Sequence, residues 1–151
     1  TFIESRHGPA LFGRIPYPGS IEQPLIPPRP ARDYKLGATY AILIQHPCGT
    51  ILHHGSAGYR PGMYDGIEAD VVLLGIAGRG DTETYLEQVP RKVKAGMVIP
   101  IHFDDFFKPL DQGITFLYSA HFTEFCQAAE TSSLTLKTVP LGEPVRILPL
   151  N

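Results

Sequence analysis

The 151 residues suffice for one domain with a real core, and a composition of 43% hydrophobic and 19% charged residues excludes wholesale disorder. A net charge of −2 without any lysine/arginine cluster gives no basis for nucleic-acid binding. No apolar run approaches membrane-spanning length, and no signal peptide is visible.

The chain begins at Thr1 rather than methionine, which leaves a processed chain or a fragment open. Residues 1–3 read as the end of a strand that enters a loop at Glu4-Ser5-Arg6-His7-Gly8-Pro9. A strand at the first residue calls for partners that the sequence does not yet supply. From residue 9 to 35 the composition shifts, with seven prolines in residues 9–30. Proline fixes φ and donates no amide hydrogen, so neither a helix nor a central strand forms there. The expectation is an irregular excursion inside a single domain spanning 1–151. It serves either as a lid or partner contact, or, more plainly, as a polyproline-like surface wrap.

Residues 38–45 are rich in β-formers, 46–49 read as a turn of about four residues, and 50–53 resume a strand. Together they predict a β-hairpin. The glycines of His54-Gly55-Ser56-Ala57-Gly58 allow tight packing over a strand end, and 60–66 is an irregular crossing. Residues 69–76 form a near-continuous apolar run, as in a strand buried on both faces. Asp81 is a good N-cap for a helix over 82–94, which Pro90 should kink. A strand over 97–101 follows, so strand, helix and strand imply parallel pairing.

Beyond His102 lies an aromatic and acidic loop over 103–113, then a brief strand at 114–117. An amphipathic helix over 119–130 follows, capped by Ser119, and closing strands are expected at 134–139 and 145–148. Cys48 and Cys126 form no CxxC pair, and nothing demands a disulfide. No solenoid repeat is present.

Three predicted strand ends carry polar groups: His7, the His54-Gly55-Ser56 turn, and His102. Alone, His102 reads as a quiet histidine satisfied by the backbone. Histidines delivered from separate strand ends can also converge on a metal, and zinc takes nitrogen, sulfur or oxygen ligands. Three or four ligands are needed, and only His7 and His102 stand out. His53 reads as a packed strand residue, His46 as a turn residue and His121 as a helix-surface residue. Asp104 and Asp105 either orient His102, cap the next turn or are simply solvated. Tyr59 and Arg60 could touch an anionic substrate or form a surface salt bridge.

The order of parts resembles the metallo-β-lactamase superfamily, in particular its ascorbate-phosphate lactonase-like and phospholipase D-like branch of metal-dependent hydrolases. The resemblance covers about residues 1–110. It rests on His7, the hairpin ending His53-His54-Gly55-Ser56-Ala57-Gly58, the buried strand with Leu73-Leu74-Gly75-Ile76-Ala77-Gly78, the helix, and Val98-Ile99-Pro100-Ile101-His102-Phe103. The chain lacks the family's His-x-His-x-Asp-His motif, which belongs to the N-terminal half of its αββα sandwich.

The resemblance therefore implies an α/β fold that is the C-terminal half of such a sandwich, a mixed sheet with flanking helices and an apolar face left for the other half. It implies a hydrolase of the ester, lactone or phosphodiester class that uses metal-activated water. His7 and His102, with His54 as a substitute, would hold zinc or, as the other candidate, manganese. Ser56 stands where the family has a bridging aspartate, which points to a mononuclear site.

Implied partners are the N-terminal half and a small-molecule substrate, with no nucleic acid and no membrane span; an oligomer is open, and the compartment leans cytoplasmic. This chain alone would be inactive. Two other readings compete: a degenerate domain kept as a binding or assembly module, and a small flavodoxin-like domain with a complete parallel sheet.

Overall fold

A computed structural model describes residues 1–9, 13–15 and 17–148. It is a mixed α/β fold built on one open five-stranded sheet with two helices. The strands are β1 (Phe2–Ser5), β2 (Thr39–His46), β3 (Gly49–His54), β4 (Val71–Gly75) and β5 (Met97–Ile101), and they lie in sequence order across the sheet. β1 pairs antiparallel with β2, and β2 with β3, whereas β3, β4 and β5 are parallel neighbours. Two reversals restore direction, so β1, β3, β4 and β5 all point the same way. Their carboxyl ends therefore share one edge of the fold. The antiparallel hairpin rules out the complete parallel sheet that a flavodoxin-like domain requires.

The strong apolar runs formed as the sequence predicts. β4 is buried along most of its length because both of its neighbours are strands. Leu52, Val72, Leu74 and Val98 point to one face and pack with Tyr85, Leu86, Val89, Phe125 and Ala129 of the helical layer. On the opposite face, Ile147 and Leu148 line a groove with Ile44 and Ile51. Toward β1 that face stays open: Phe2 is 71% exposed, and Tyr40 and Ile44 are each about half exposed. Among the described residues no helix is long and apolar enough to cross a membrane.

Several local expectations give way. The hairpin turn is only Pro47-Cys48, because His46 already pairs with Gly49. The helix after Asp81 is α1 (Thr82–Leu86), which widens into a π-helical turn over Glu87–Arg91. Pro90 has no N–H for the regular ladder, and the Ala95 N–H reaches back five residues to Pro90 O at 2.9 Å. Asp81 is the expected cap, accepting from the Thr84 N–H at 2.8 Å.

The second helix, α2 (Phe122–Thr131), starts after His121, whose left-handed backbone (φ 41°) makes the entry. Ser119 instead sits in a 3-10 turn, where its carbonyl accepts from the Gly78 N–H.

The closing strands do not form. Residues 134–139 contribute one parallel bridge, Leu136 to Val98, and 145–148 contribute none. β-branched composition makes a strand only where a partner edge runs alongside for several residues, and here the chain touches β5 around Val98 and leaves. The stretch 114–117 likewise yields only the Asp104–Phe116 bridge, tied by the Asp105 N–H to Thr115 O and the Leu117 N–H to Phe103 O.

The proline-rich excursion is irregular, as its composition dictates, apart from a 3-10 turn at Ala31–Asp33. Its described ends are clasped: the Leu36 N–H donates to Tyr17 O at 3.0 Å and the Gly37 N–H to Gly19 O at 2.9 Å. Residues 10–12 and 16 of the excursion lie outside the described residues.

Candidate functional site

Four strand ends pointing one way bring their following loops together at the carboxyl edge, the usual ligand edge of an open α/β sheet. The loop after β1 lies on the loop after β3. Arg6 bridges Gly58, and the Gly8 N–H donates to Ser56 Oγ at 3.2 Å. The loop after β4 closes on both: a Cβ on Gly8 would stand 2.8 Å from Gly78 O, and one on Gly75 would stand 2.7 Å from the Gly55 carbonyl carbon. β5 joins through the Ile76 N–H, which donates to Ile101 O at 3.1 Å. His7, Ser56 and His102 are thus at one edge, on loops whose backbones touch in series.

His7 is half-buried, and its Nδ1 is 2.6 Å from Gly8 O. A carbonyl cannot donate, so Nδ1 carries the hydrogen and Nε2 of the neutral ring keeps its lone pair. That is the tautomer a metal-ligating histidine adopts when a backbone carbonyl holds its other nitrogen. His102 is exposed, and its ring stacks on Phe106 with an interplanar angle of 13°. Its backbone sits at φ 53°. Such a left-handed angle is uncommon for a non-glycine residue, costs on the order of 1 kcal/mol, and clusters at functional sites.

His54 is not brought to this group. Strand alternation puts it on the face of Leu52, inside the core, where it is 1% exposed. Its Nδ1 shares a 2.5 Å hydrogen bond with the Tyr64 hydroxyl, its ring lies between Tyr64 and Tyr85, and its Nε2 is buried without a partner. Burial, with a smaller contribution from His53, holds its pKa down to about 4, so the ring is neutral near pH 7. His53 faces the other side of the sheet.

Tyr59 packs on Tyr85, and Arg60 pairs with Glu4 at 3.6 Å. Asp105 caps its own turn by accepting from the Phe107 N–H at 3.1 Å. His46 accepts from the Cys48 N–H through Nδ1. Both cysteines are free, Cys48 exposed and Cys126 partly buried.

Sequence reasoning missed Arg79, a lone cation between two glycines after a buried strand. Its side chain is almost fully buried. Nε donates to Thr82 Oγ1 at 2.8 Å, Nη1 donates to the carbonyls of Ile76 and Ala120, and Nη2 donates to His121 O and Glu124 Oε1. The guanidinium also lies over the Phe125 ring. One side chain thereby ties the loop after β4 to the start of α2, which holds the middle of the carboxyl edge still.

Among the described residues, no group of three or more histidine, cysteine, aspartate or glutamate side chains stands close enough to hold a metal ion. His7 and His102 each offer one imidazole nitrogen, short of the four donors that a tetrahedral ion takes. Ser56 Oγ is engaged with the Gly8 amide. Comparisons with protein-family models, curated proteins and solved structures return no match to this chain.

Proposed function

We propose that this chain is the C-terminal half of a metallo-β-lactamase-type sandwich and that, with an N-terminal half, it forms a metal-dependent hydrolase of esters, lactones or phosphodiesters. The observation that carries the reading is the shared carboxyl edge of β1, β3, β4 and β5, with His7, Ser56 and His102 on its loops. The His7 tautomer and the strained His102 backbone add to it. The open apolar patch of Phe2, Tyr40 and Ile44 suits a second layer against the sheet.

His7 and His102 would hold the ion, zinc first and manganese second, and residues of the other half would complete its shell. The ion would supply the Lewis acidity that makes water nucleophilic near neutral pH. The chain's own contribution is placement. Gly8 O fixes the His7 ring, Phe106 flanks His102, and the Arg79 network keeps the loop between them in register.

A second reading is favoured by Ser56, whose hydroxyl serves the backbone rather than an ion. In that reading the domain is a binding or assembly module on the same frame. Metal analysis of the purified chain, with and without a segment carrying His-x-His-x-Asp-His, separates the two. The hydrolase reading expects about one zinc or manganese per complex and its loss in His102→Ala. Because the His102 side chain is exposed, that variant keeps its fold, and retained metal would count against the assignment. No metal under any pairing leaves the binding module.

A further inference from the structure

A groove of about 600 Å³ runs beside His7, and apart from His7 its lining lies outside the site described above. One wall is the end of β1 with Glu4, Arg6 and His7, and the other is the clasped neck of the excursion with Ile15, Pro18 and Leu36. The clasp is backbone to backbone, Leu36 to Tyr17 and Gly37 to Gly19, so the apolar wall is held in place rather than draped. That size and mixture, aliphatic walls with a few polar groups, suits a small organic ligand.

Charge decides which ligand. Glu4 is answered by Arg60 at 3.6 Å, whereas Arg6 has no acidic partner among the described residues. The uncompensated charge of the groove is therefore positive, and a guanidinium recognises carboxylate and phosphate through paired N–H donors.

We propose that this groove binds the aliphatic body of a small molecule whose end carries an oxyanion, paired with Arg6. The inference goes beyond the hydrolase reading, and it gives the excursion a role as a binding wall. It does not need turnover or metal to be tested.

The test is titration of the full chain, at low salt, with hexanoate, hexyl phosphate and hexylammonium, read by backbone amide shifts. The expected result is saturable binding of one or both anions, with shifts centred on residues 4–7, 18–19 and 36–39. Arg6→Gln should weaken binding about tenfold, the loss of one charge-assisted pair, and Leu36→Ser should weaken it independently. Arg6 is exposed, so circular dichroism of Arg6→Gln should match the parent. Stronger hexanoate binding names a carboxylate, and stronger hexyl phosphate binding names a phosphate.

Equal binding of hexylammonium, shifts centred elsewhere, indifference to both substitutions, or no binding overturns the proposal. A failed groove with intact metal binding would remove this inference alone.

Discussion

Gly58→Ala is expected to destabilise the chain by about 3 kcal/mol and to loosen His7 from the strand-end array. The position is closed by backbone, not by movable side chains. A Cβ there would overlap Arg6 O and stand 2.6 Å from the His7 carbonyl carbon and 2.7 Å from that of Arg6. Relief requires moving the β1 extension away from the loop after β3, which breaks the Arg6–Gly58 bridge and strains the Gly8–Ser56 hydrogen bond. For a chain of this length the loss corresponds to a fall in Tm of about 10 °C.

Gly66→Ala is the matched control. Gly66 has φ 75°, but a methyl group added there would meet nothing within 4 Å, so only backbone strain of about 1 kcal/mol applies. Urea unfolding of both variants checks the difference. Equal losses would mean that the close approach of the two loops does not hold in solution.

The second large effect is acid lability through His54. In the unfolded chain its imidazole titrates near the ordinary value of 6.5, whereas in the folded chain burial, helped by His53, holds it to about 4. Above pH 6.5 both states are neutral there and the residue adds no pH dependence. Between 6.5 and 4 the unfolded chain binds a proton that the folded chain refuses, so stability falls as pH falls. The full loss, reached below pH 4, is about 3 kcal/mol.

Unfolding free energies measured from pH 7.5 to 4 should therefore slope more steeply in the parent than in His54→Leu/Tyr64→Phe. That pair removes the imidazole and the hydroxyl that would be left alone. Parallel profiles would show that His54 is not the buried titrating group.

The frame was legible wherever burial left a strong pattern. The run at 69–76 is β4, the strand before His102 is β5, and Asp81 caps the helix that joins them. The directions of β2 to β5 followed from the hairpin and the crossover; the pairing of β1 and the loop contacts that bring His7 onto the Ser56 loop were not legible.

His54 shows a signal that was present and unread. Two residues from Leu52 on the same strand, it shares that residue's face and belongs to the core. The Arg79 network was not legible, because beside nearby Ile76 and Thr82 its partners are the Ala120 and His121 carbonyls and the Glu124 carboxylate, 41 to 45 positions away. The closing strands failed because propensity cannot supply a neighbouring edge, and the helix start moved because His121 takes a left-handed turn, a conformation in which histidine is enriched but still uncommon.

The measurement closest to the central claim is a zinc titration of the chain, joined with a segment carrying His-x-His-x-Asp-His, followed by long-range imidazole ¹H–¹⁵N spectra of the chain's six histidines. The account predicts that the Nε2 signal of His7 and the ring of His102 shift together and saturably. His7 keeps its Nδ1 hydrogen on Gly8 O, while His54 in the core is unmoved. Zinc that leaves His7 and His102 untouched, or that moves them independently, would contradict it.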